Sequence, residues 1–308
     1  MGGGISFQHF VAACLKQPLN AAVLCLAVIN GLVTDRASKR LSSKELPLPP
    51  PKVLGSSVTH FTQLCEGSVG NKHVSFVKDR SLYEEGLKAE YYINKIQDLF
   101  YDEVYTTYIE DRRLLDIISQ LIGDEITAIN SMIINKPPGT IEHSSHQDLM
   151  YFPIRPANKI IGVWTAIDPA TIDNGCLYVI PGSHKAELLY NHVDVESKNK
   201  LLFHGIQREE YIAPKEKWVY IEMEPGDTLI FNPYLVHGSG ANNTQYFRKA
   251  LTCHYVNSMC HYVDVTGTCQ EEIKSIVEAE IKRLGGELSF IDLWRVKSKK
   301  VRGVKSNL

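Results

Sequence analysis

The spacing of apolar residues changes from helical to strand-like along the chain. In residues 84–101 and 112–122 apolar side chains recur with the period of a helix, and Gly123 supplies a stop after the second segment. Between residues 126 and 256 the pattern becomes short apolar runs separated by Gly, Pro and Asn, which is typical of antiparallel strands. These runs are residues 126–135, 160–167, 177–180, 218–223, 228–232 and 249–256. The pattern predicts a mainly β fold with flanking helices, arranged as a sandwich or barrel.

The two ends of the chain carry different signals. A last helix is predicted to begin at Thr268, whose capping box with Glu271 precedes an apolar face, and to end at the glycine pair that follows. Residues 45–53 are so rich in proline that they predict an extended linker without helix. We therefore predict an N-terminal extension, residues 1–58, followed by the main domain, residues 59–308.

The composition is that of an ordinary globular domain. The chain has 308 residues, of which 44% are hydrophobic and 22% charged, so it can bury a large core. The formal net charge of −2 gives no general attraction to nucleic acid, and none is expected as a partner. The apolar run at residues 21–33 is too short to span a bilayer, so no membrane span is expected. The seven cysteines include no CxxC pair, which argues against a structural zinc site.

Three side chains could form a metal site. His146 and Asp148 stand two positions apart, so their side chains share one face if the segment is extended. His237 follows a predicted strand, and two imidazoles with one carboxylate form the facial triad that suits Fe(II). In the next strand, Arg248 offers a planar fork that can bind a carboxylate through two hydrogen bonds. Taken singly, a histidine in a β domain is usually a structural residue, and a surface salt bridge is the default interpretation of Arg248.

Several runs of sequence resemble those of a known family. They are HQDLMYFPIRP (146–156), NGCLYVIPGSHK (174–185), FHGIQ (203–207), GDTLIFNPYLVHGSGANNTQYFRKALTCHYV (226–256) and CHYVDVTGTCQEEI (260–273). In these runs, and more faintly back to about residue 60, the chain resembles the phytanoyl-CoA dioxygenase family. The resemblance implies a double-stranded β-helix, also called a jelly roll, whose open mouth holds a metal ion.

The resemblance also implies roles for individual residues. It implies that Fe(II) is bound by His146, Asp148 and His237, and that Arg248 binds the distal carboxylate of 2-oxoglutarate with Ser239 beside it. The other co-substrate contacts that it implies are Lys95, Met132, Gln147 and Trp164. Without the resemblance, Met132 and Trp164 are interpreted as core residues and Lys95 as a solvated charge on a helix.

The reaction implied by the resemblance is 2-hydroxylation of a 3-methyl-branched long-chain acyl-CoA such as phytanoyl-CoA, as in fatty acid α-oxidation. Molecular oxygen is the second substrate, and ascorbate is expected to sustain activity. The retained Asp148 favours hydroxylation, because related halogenating enzymes carry a small residue there. Four lysines near the expected mouth could pair with the phosphates of coenzyme A or could simply be solvated. They are Lys159, Lys185, Lys198 and Lys200.

Two alternatives to this reaction stay open. The first is a 2-oxoglutarate hydroxylase that acts on a small substrate without coenzyme A. The second is an inactive jelly-roll protein that binds a metal ion or an acyl-CoA without turnover. Stimulation of succinate formation by CoA thioesters, but not by free acids, would separate the first alternative from the main hypothesis.

The N-terminal segment departs from the family pattern. Residues 1–58 contain no segment of the form FxxxGFLVI, which adds a strand to the larger sheet, although residues 23–33 could take its place. The N-terminal peroxisomal signal of relatives is absent too, whereas Ser306-Asn307-Leu308 resembles the peroxisomal tripeptide Ser-Lys-Leu. The chemistry and this tripeptide predict a peroxisomal location, with the cytoplasm as the alternative.

Overall fold

A computed structural model of the chain describes residues 51–79, 82–194, 204–206 and 209–308, together with a strand at residues 26–28. The helices are α1 (Pro51–Glu66), α2 (Glu103–Ile109), α3 (Arg112–Ile122), α4 (Glu271–Arg283) and α5 (Phe290–Val296). The strands are β1 (Leu26–Val28), β2 (Ser75–Lys78), β3 (Ile93–Gln97), β4 (Ile126–Lys136), β5 (His143–His146), β6 (Ile154–Arg155), β7 (Ile160–Ala166), β8 (Leu177–Val179), β9 (His192–Asp194), β10 (His204–Ile206), β11 (Val219–Ile221), β12 (Thr228–Phe231), β13 (His237–Ser239), β14 (Arg248–Asn257), β15 (His261–Tyr262) and β16 (Ser298–Arg302). None of the helices in these described ranges is both long enough and apolar enough to cross a bilayer.

The strands form two main antiparallel sheets. The larger sheet has the order β1-β12-β7-β14-β4-β3-β2, and β16 pairs with β4 beside β3. The smaller sheet has the order β11-β8-β13-β5, and two short pairs, β6 with β15 and β9 with β10, complete the described strands. This arrangement is the double-stranded β-helix with flanking helices that the sequence predicted.

Strands β4 and β14 lie side by side in the larger sheet and are buried along almost their whole length. The period of two along β14 sends Cys253 and Tyr255 into the core that contains the helices, and sends Arg248, Thr252 and His254 to the opposite face, where they line a cavity. One face of the larger sheet therefore packs against the hydrophobic core that contains the helices, and the other face carries the polar side chains that line the cavity.

Helix α3 confirms the prediction made for residues 112–122. The carboxylate of Asp111 accepts hydrogen bonds from the backbone N–H groups of Arg113 and Leu114, which begins the helix. Its apolar face is buried against the larger sheet, and Gly123 ends the helix with a positive φ of 97°. The helix predicted to begin at Thr268 is α4, which begins at Glu271; it is not the last helix, because α5 follows it.

The helix predicted at residues 84–101 is wrong. This region contains a 3₁₀ turn, Ala89–Tyr91, and the strand β3. The buried Ile93 and Ile96 are spaced as on a helix, but the backbone of Lys95 pairs with Ile134 of β4. Long-range pairing overrides a short local pattern, so Lys95 lies on a strand.

The predicted domain boundary at residue 58 is not a break in the structure. Pro51 occupies the first turn of α1, where its missing N–H costs nothing, so residues 51–53 are helical and not extended. The helix continues past residue 58, and Leu54 and Phe61 are buried in the same core. The rest of the predicted linker lies outside the described residues.

Strand β1 lies within residues 23–33, the segment that could replace the missing edge strand. Its residues pair in antiparallel fashion with Thr228–Ile230 of β12, at the edge of the larger sheet. A strand within residues 23–33 is therefore confirmed for Leu26–Val28. The division of the chain into an extension and a main domain stays a prediction.

Candidate functional site

His146, Asp148 and His237 meet at the mouth of the fold. Strand β5 ends at His146, the backbone of Gln147 is extended, and Asp148 opens the 3₁₀ turn Asp148–Tyr151. His237 opens β13 and is the direct cross-strand partner of His146. All three side chains are buried, and one potential ligand atom from each lies within 4.8 Å of the others. These three residues could hold a metal ion.

The hydrogen bonds of the two imidazoles fix which nitrogen faces the carboxylate. Nδ1 of His146 lies 2.9 Å from the carbonyl oxygen of Ser144, and Nδ1 of His237 lies 3.0 Å from that of Leu235. Because a carbonyl oxygen only accepts, each Nδ1 donates, and each ring, when it is neutral, keeps a lone pair on Nε2. These Nε2 atoms lie 3.4 Å and 3.7 Å from Oδ1 of Asp148. Lone pairs directed toward a carboxylate oxygen fit a cation placed between them.

The charges around Asp148 support the same arrangement. Burial opposes its ionisation, but the imidazoles of His237 and His254 hold the pKa of this carboxyl well below its usual value. Burial also lowers the pKa of His237 to about 4, so that its ring is neutral at pH 7. Oδ2 of Asp148 lies 2.7 Å from Nε2 of His254, which leaves Oδ1 on the side of the two other imidazoles.

We expect replacement of His254 by Leu to weaken Fe(II) binding by roughly 10- to 100-fold, because the carboxylate of Asp148 loses the group that orients it. Equilibrium titration of the purified protein with Fe(II) under anaerobic conditions measures this. A His254→Gln variant keeps an N–H donor and should recover part of the affinity. Unchanged affinity in the Leu variant would show that His254 does not orient Asp148.

A cavity of about 960 Å³, counted with its open mouth, adjoins the three residues. Besides the three residues, it is lined by five of the other six residues singled out from the sequence. They are Lys95, Met132, Trp164, Ser239 and Arg248.

Gln147 is the exception, and its predicted contact with the co-substrate is not supported. Its side chain is fully buried but does not line the cavity. Its amide donates to the carbonyl oxygens of Leu188 and Tyr234 and accepts from the N–H of Tyr190, at 2.8 to 2.9 Å. The alternation that brings His146 and Asp148 together turns the residue between them away. The side chain of Gln147 therefore links the backbone segments at Leu188, Tyr190 and Tyr234.

Arg248 is a buried cation whose hydrogen-bonding capacity is only partly used. Its side chain is 2% exposed, and Nη2 donates to the carbonyl oxygen of Gly175 at 2.9 Å. Nε and Nη1 are buried without a partner among the described residues. The guanidinium carbon lies 5.4 Å from the centre of the Trp164 ring, and burial lowers the pKa of Arg248 to about 10. The free N–H groups in this cavity fit a carboxylate.

Gly175 holds this cation in place, so its replacement by Ala should disturb the site. A Cβ atom there would lie 2.4 Å from the carbonyl oxygen of Gly240 and 2.8 Å from Cε of Lys136, on a backbone with a φ of +84°. Strain and overpacking together should cost about 1 to 3 kcal/mol. We expect thermal unfolding to show this loss, and 2-oxoglutarate to bind more weakly.

Gly182 provides the matched control for this change. Its φ is +81°, but a Cβ atom there would meet nothing within 4 Å. Gly182→Ala should therefore show the backbone strain alone, with 2-oxoglutarate affinity unchanged. Equal effects of the two substitutions on that affinity would contradict the packing role of Gly175.

Lys136, His143 and His254 are among the cavity-lining residues that the sequence analysis does not identify. Two of them carried a usable signal. Lys136 shares the parity of Met132 on β4, and His254 shares that of Arg248 on β14, so a period of two places them on the same face.

The lysines that could pair with the phosphates of coenzyme A do not line the cavity where the structure describes them. Lys159 and Lys185 are exposed and do not line the cavity. Lys198 and Lys200 lie outside the described residues.

Comparison with known proteins places the chain in a family. The family model described as phytanoyl-CoA dioxygenase (PhyH) matches residues 69–250. The chain is 41% identical over 271 residues to a probable phytanoyl-CoA dioxygenase of Caenorhabditis elegans, which covers 80% of this chain and 85% of the relative. It is 38% identical over 257 residues to the peroxisomal phytanoyl-CoA dioxygenase of Homo sapiens, covering 80% of this chain and 75% of the relative.

Solved structures share the fold at low sequence identity. The epimerase SnoN, solved in complex with Fe³⁺ and alpha ketoglutarate, is 15% identical with a TM-score of 0.51, covering 70% of this chain and 82% of that chain. AviO1 of Streptomyces viridochromogenes is 17% identical with a TM-score of 0.51, covering 71% of this chain and 90% of that chain. The chain belongs to the phytanoyl-CoA dioxygenase family, and it is a 2-oxoglutarate-dependent non-haem dioxygenase.

Proposed function

We propose that this enzyme hydroxylates C2 of a long-chain, 3-methyl-branched acyl-CoA, such as phytanoyl-CoA, in fatty acid α-oxidation. The observation that carries the proposal is a cavity lined by a His-Asp-His cluster and by Arg248, a buried cation with two nitrogens that have no partner among the described residues. The relatives that are named phytanoyl-CoA dioxygenases support the choice of substrate class.

In this proposal His146, Asp148 and His237 hold Fe(II), and Arg248 with Ser239 holds the distal carboxylate of 2-oxoglutarate. The donor set fits, because two neutral imidazoles and one carboxylate suit Fe(II) and leave positions for other ligands. Iron(II), 2-oxoglutarate and molecular oxygen together supply the oxidising power, and ascorbate keeps the iron reduced.

The protein contributes orientation and exclusion of water. Asp148 is held by His254 through one oxygen, and each metal-binding imidazole is held by a backbone carbonyl. Trp164 and Met132 are buried and cover the cavity side of the larger sheet. These contacts hold the proposed iron ligands and the cavity wall in defined positions.

Exposed apolar side chains at the mouth support an acyl substrate. Ile141 lines the cavity and is 57% exposed, and Ile172 and Tyr246 are also exposed on neighbouring loops. The loops are joined by backbone hydrogen bonds from Asn242 to Thr140 and from Asn243 to Asp173, both at 2.9 Å. A branched acyl chain could lie across this apolar rim.

Succinate release tests the substrate class. Purified enzyme with Fe(II), ascorbate and 2-oxoglutarate is assayed alone, with phytanoyl-CoA, with a straight-chain acyl-CoA and with free phytanic acid. We expect stimulation by the thioesters only, and more by the branched one. Stimulation by the free acid would favour a substrate without coenzyme A, and no stimulation by any of them would favour an inactive binding protein.

The peroxisome is the proposed location, and the cytoplasm is the alternative. Several relatives are named peroxisomal phytanoyl-CoA dioxygenases, and this supports the proposed location. In the structure, the backbone N–H of Asn307 donates to the carbonyl oxygen of Ser258 at 2.7 Å, and Leu308 packs against the core around α4 and α5. Imaging of the chain with and without residues 306–308 would test whether this tripeptide directs the protein to peroxisomes.

A further inference from the structure

Two buried basic side chains lie opposite each other on neighbouring strands in the wall of the cavity. Lys136 ends β4, Arg248 begins β14, and the two residues are direct cross-strand partners. Both side chains line the cavity, and they are 4% and 2% exposed. Like charges placed opposite each other in a sheet repel, and burial makes the repulsion stronger.

No acidic side chain among the described residues neutralises this pair. The ion pairs of the described part of the chain include neither Lys136 nor Arg248. Burial, together with Arg248, holds the pKa of Lys136 well below its usual value, and Glu142 opposes this only in part. A buried charge without a partner is costly, which points to an anion that completes the site.

The contacts of Lys136 give it a specific position. Its Nζ donates to Oγ of Ser239 at 3.1 Å, and its stem packs over Gly175, the residue whose carbonyl oxygen accepts from Arg248. A serine hydroxyl has one proton to donate, and an ammonium group only donates. Because Ser239 accepts from Lys136, its own proton is free to point toward another acceptor in the cavity.

We propose that Lys136 is a positioning residue of the co-substrate site, which turns the hydroxyl of Ser239 into a donor for the distal carboxylate of a dicarboxylic 2-oxo acid. This inference rests on the proposed binding of 2-oxoglutarate. Arg248 and Ser239 contact the carboxylate, and Lys136 acts through Ser239 while adding a second positive charge nearby. The site thereby selects a 2-oxo acid that carries a second carboxylate.

Binding measurements on the iron(II)-loaded protein under anaerobic conditions test this role without turnover. The ligands are 2-oxoglutarate and 2-oxobutanoate, which lacks the distal carboxylate. We expect Lys136→Met to weaken 2-oxoglutarate binding by about 10- to 100-fold, the loss expected for a hydrogen-bonding group on a charged ligand, and to leave 2-oxobutanoate affinity unchanged. Removal of the unpaired charge should keep the protein folded, which thermal unfolding checks.

A double-mutant cycle separates this role from a general structural one. Because Lys136 acts through Ser239, the combined loss in Lys136→Met/Ser239→Ala should be smaller than the product of the two single losses. Independent losses, or an equal fall in affinity for both 2-oxo acids, would overturn the role of Lys136. A wild-type protein that binds neither acid would instead overturn the proposed co-substrate, so the two failures are distinguishable.

Discussion

Replacement of Asp148 by Ala should abolish Fe(II) binding at micromolar protein and stop turnover. Asp148 supplies the only carboxylate of the three-residue cluster, and its Oδ1 lies within 4 Å of Nε2 of both His146 and His237. Changes of outer residues around metal sites cost 10- to 100-fold, so loss of a ligand should weaken Fe(II) binding by roughly 100-fold or more. Anaerobic titration with Fe(II), followed by iron analysis after desalting, measures the loss.

Glu142 provides a control for this experiment. It also lines the cavity and carries a carboxylate, but it lies outside the cluster and is exposed. Glu142→Gln should bind Fe(II) with nearly wild-type affinity. Retained iron in the Asp148→Ala variant would mean that the metal lies elsewhere or needs only the two imidazoles.

Replacement of Arg248 by Met should remove 2-oxoglutarate binding and leave Fe(II) binding intact. Removal of one member of a buried charge pair costs several kcal/mol, so the affinity for 2-oxoglutarate should fall by roughly 100-fold or more. In the free protein, however, the guanidinium is buried, and two of its nitrogens have no partner among the residues that the structure describes. The variant should therefore unfold at the same temperature as the wild type or at a higher one.

Two further variants make this expectation specific. Arg248→Lys keeps a charge but not the planar fork, so it should recover only part of the affinity. Lys249→Met changes the next residue, which faces the other side of the sheet, 3.9 Å from Asp168 and over the ring of Phe247. It should leave 2-oxoglutarate affinity unchanged. A stable Arg248→Met protein with wild-type affinity would remove Arg248 from the co-substrate site.

The sequence was most informative where local geometry controls the site. The period of two placed His146 and Asp148 on one side of an extended segment, and the apolar runs located β4, β7 and β14. His237 could be added because two imidazoles and a carboxylate form a recognisable set of ligands. Its pairing with His146, in contrast, is a long-range contact that no local pattern contains.

The errors have physical causes as well. The sequence analysis places Lys95 on a helix because the apolar spacing in residues 84–101 is helical, and only the pairing of β3 with β4 shows that Lys95 lies on a strand. Gln147 was given a co-substrate contact by family resemblance, although the period of two directs its side chain away from that of its neighbours. A family resemblance assigns a role to a sequence position, but it does not show the direction in which the side chain at that position points.

Lys136 and His254 were missed because their importance depends on their neighbours. A lysine at the end of a strand is ordinarily solvated, and a histidine in a strand is ordinarily structural. Their positions opposite Arg248 and beside Asp148 follow from sheet register, which the sequence alone does not reveal.

The most direct test of the proposed function is the product of the complete reaction. Enzyme, Fe(II), ascorbate, 2-oxoglutarate and phytanoyl-CoA are incubated in air enriched in heavy oxygen, and succinate and the acyl-CoA are quantified by mass spectrometry. We expect one hydroxylated acyl-CoA for each succinate, with one heavy oxygen atom located at C2. Succinate formed without a modified acyl-CoA, or an oxygen atom placed at another carbon, would contradict 2-hydroxylation as the function of this enzyme.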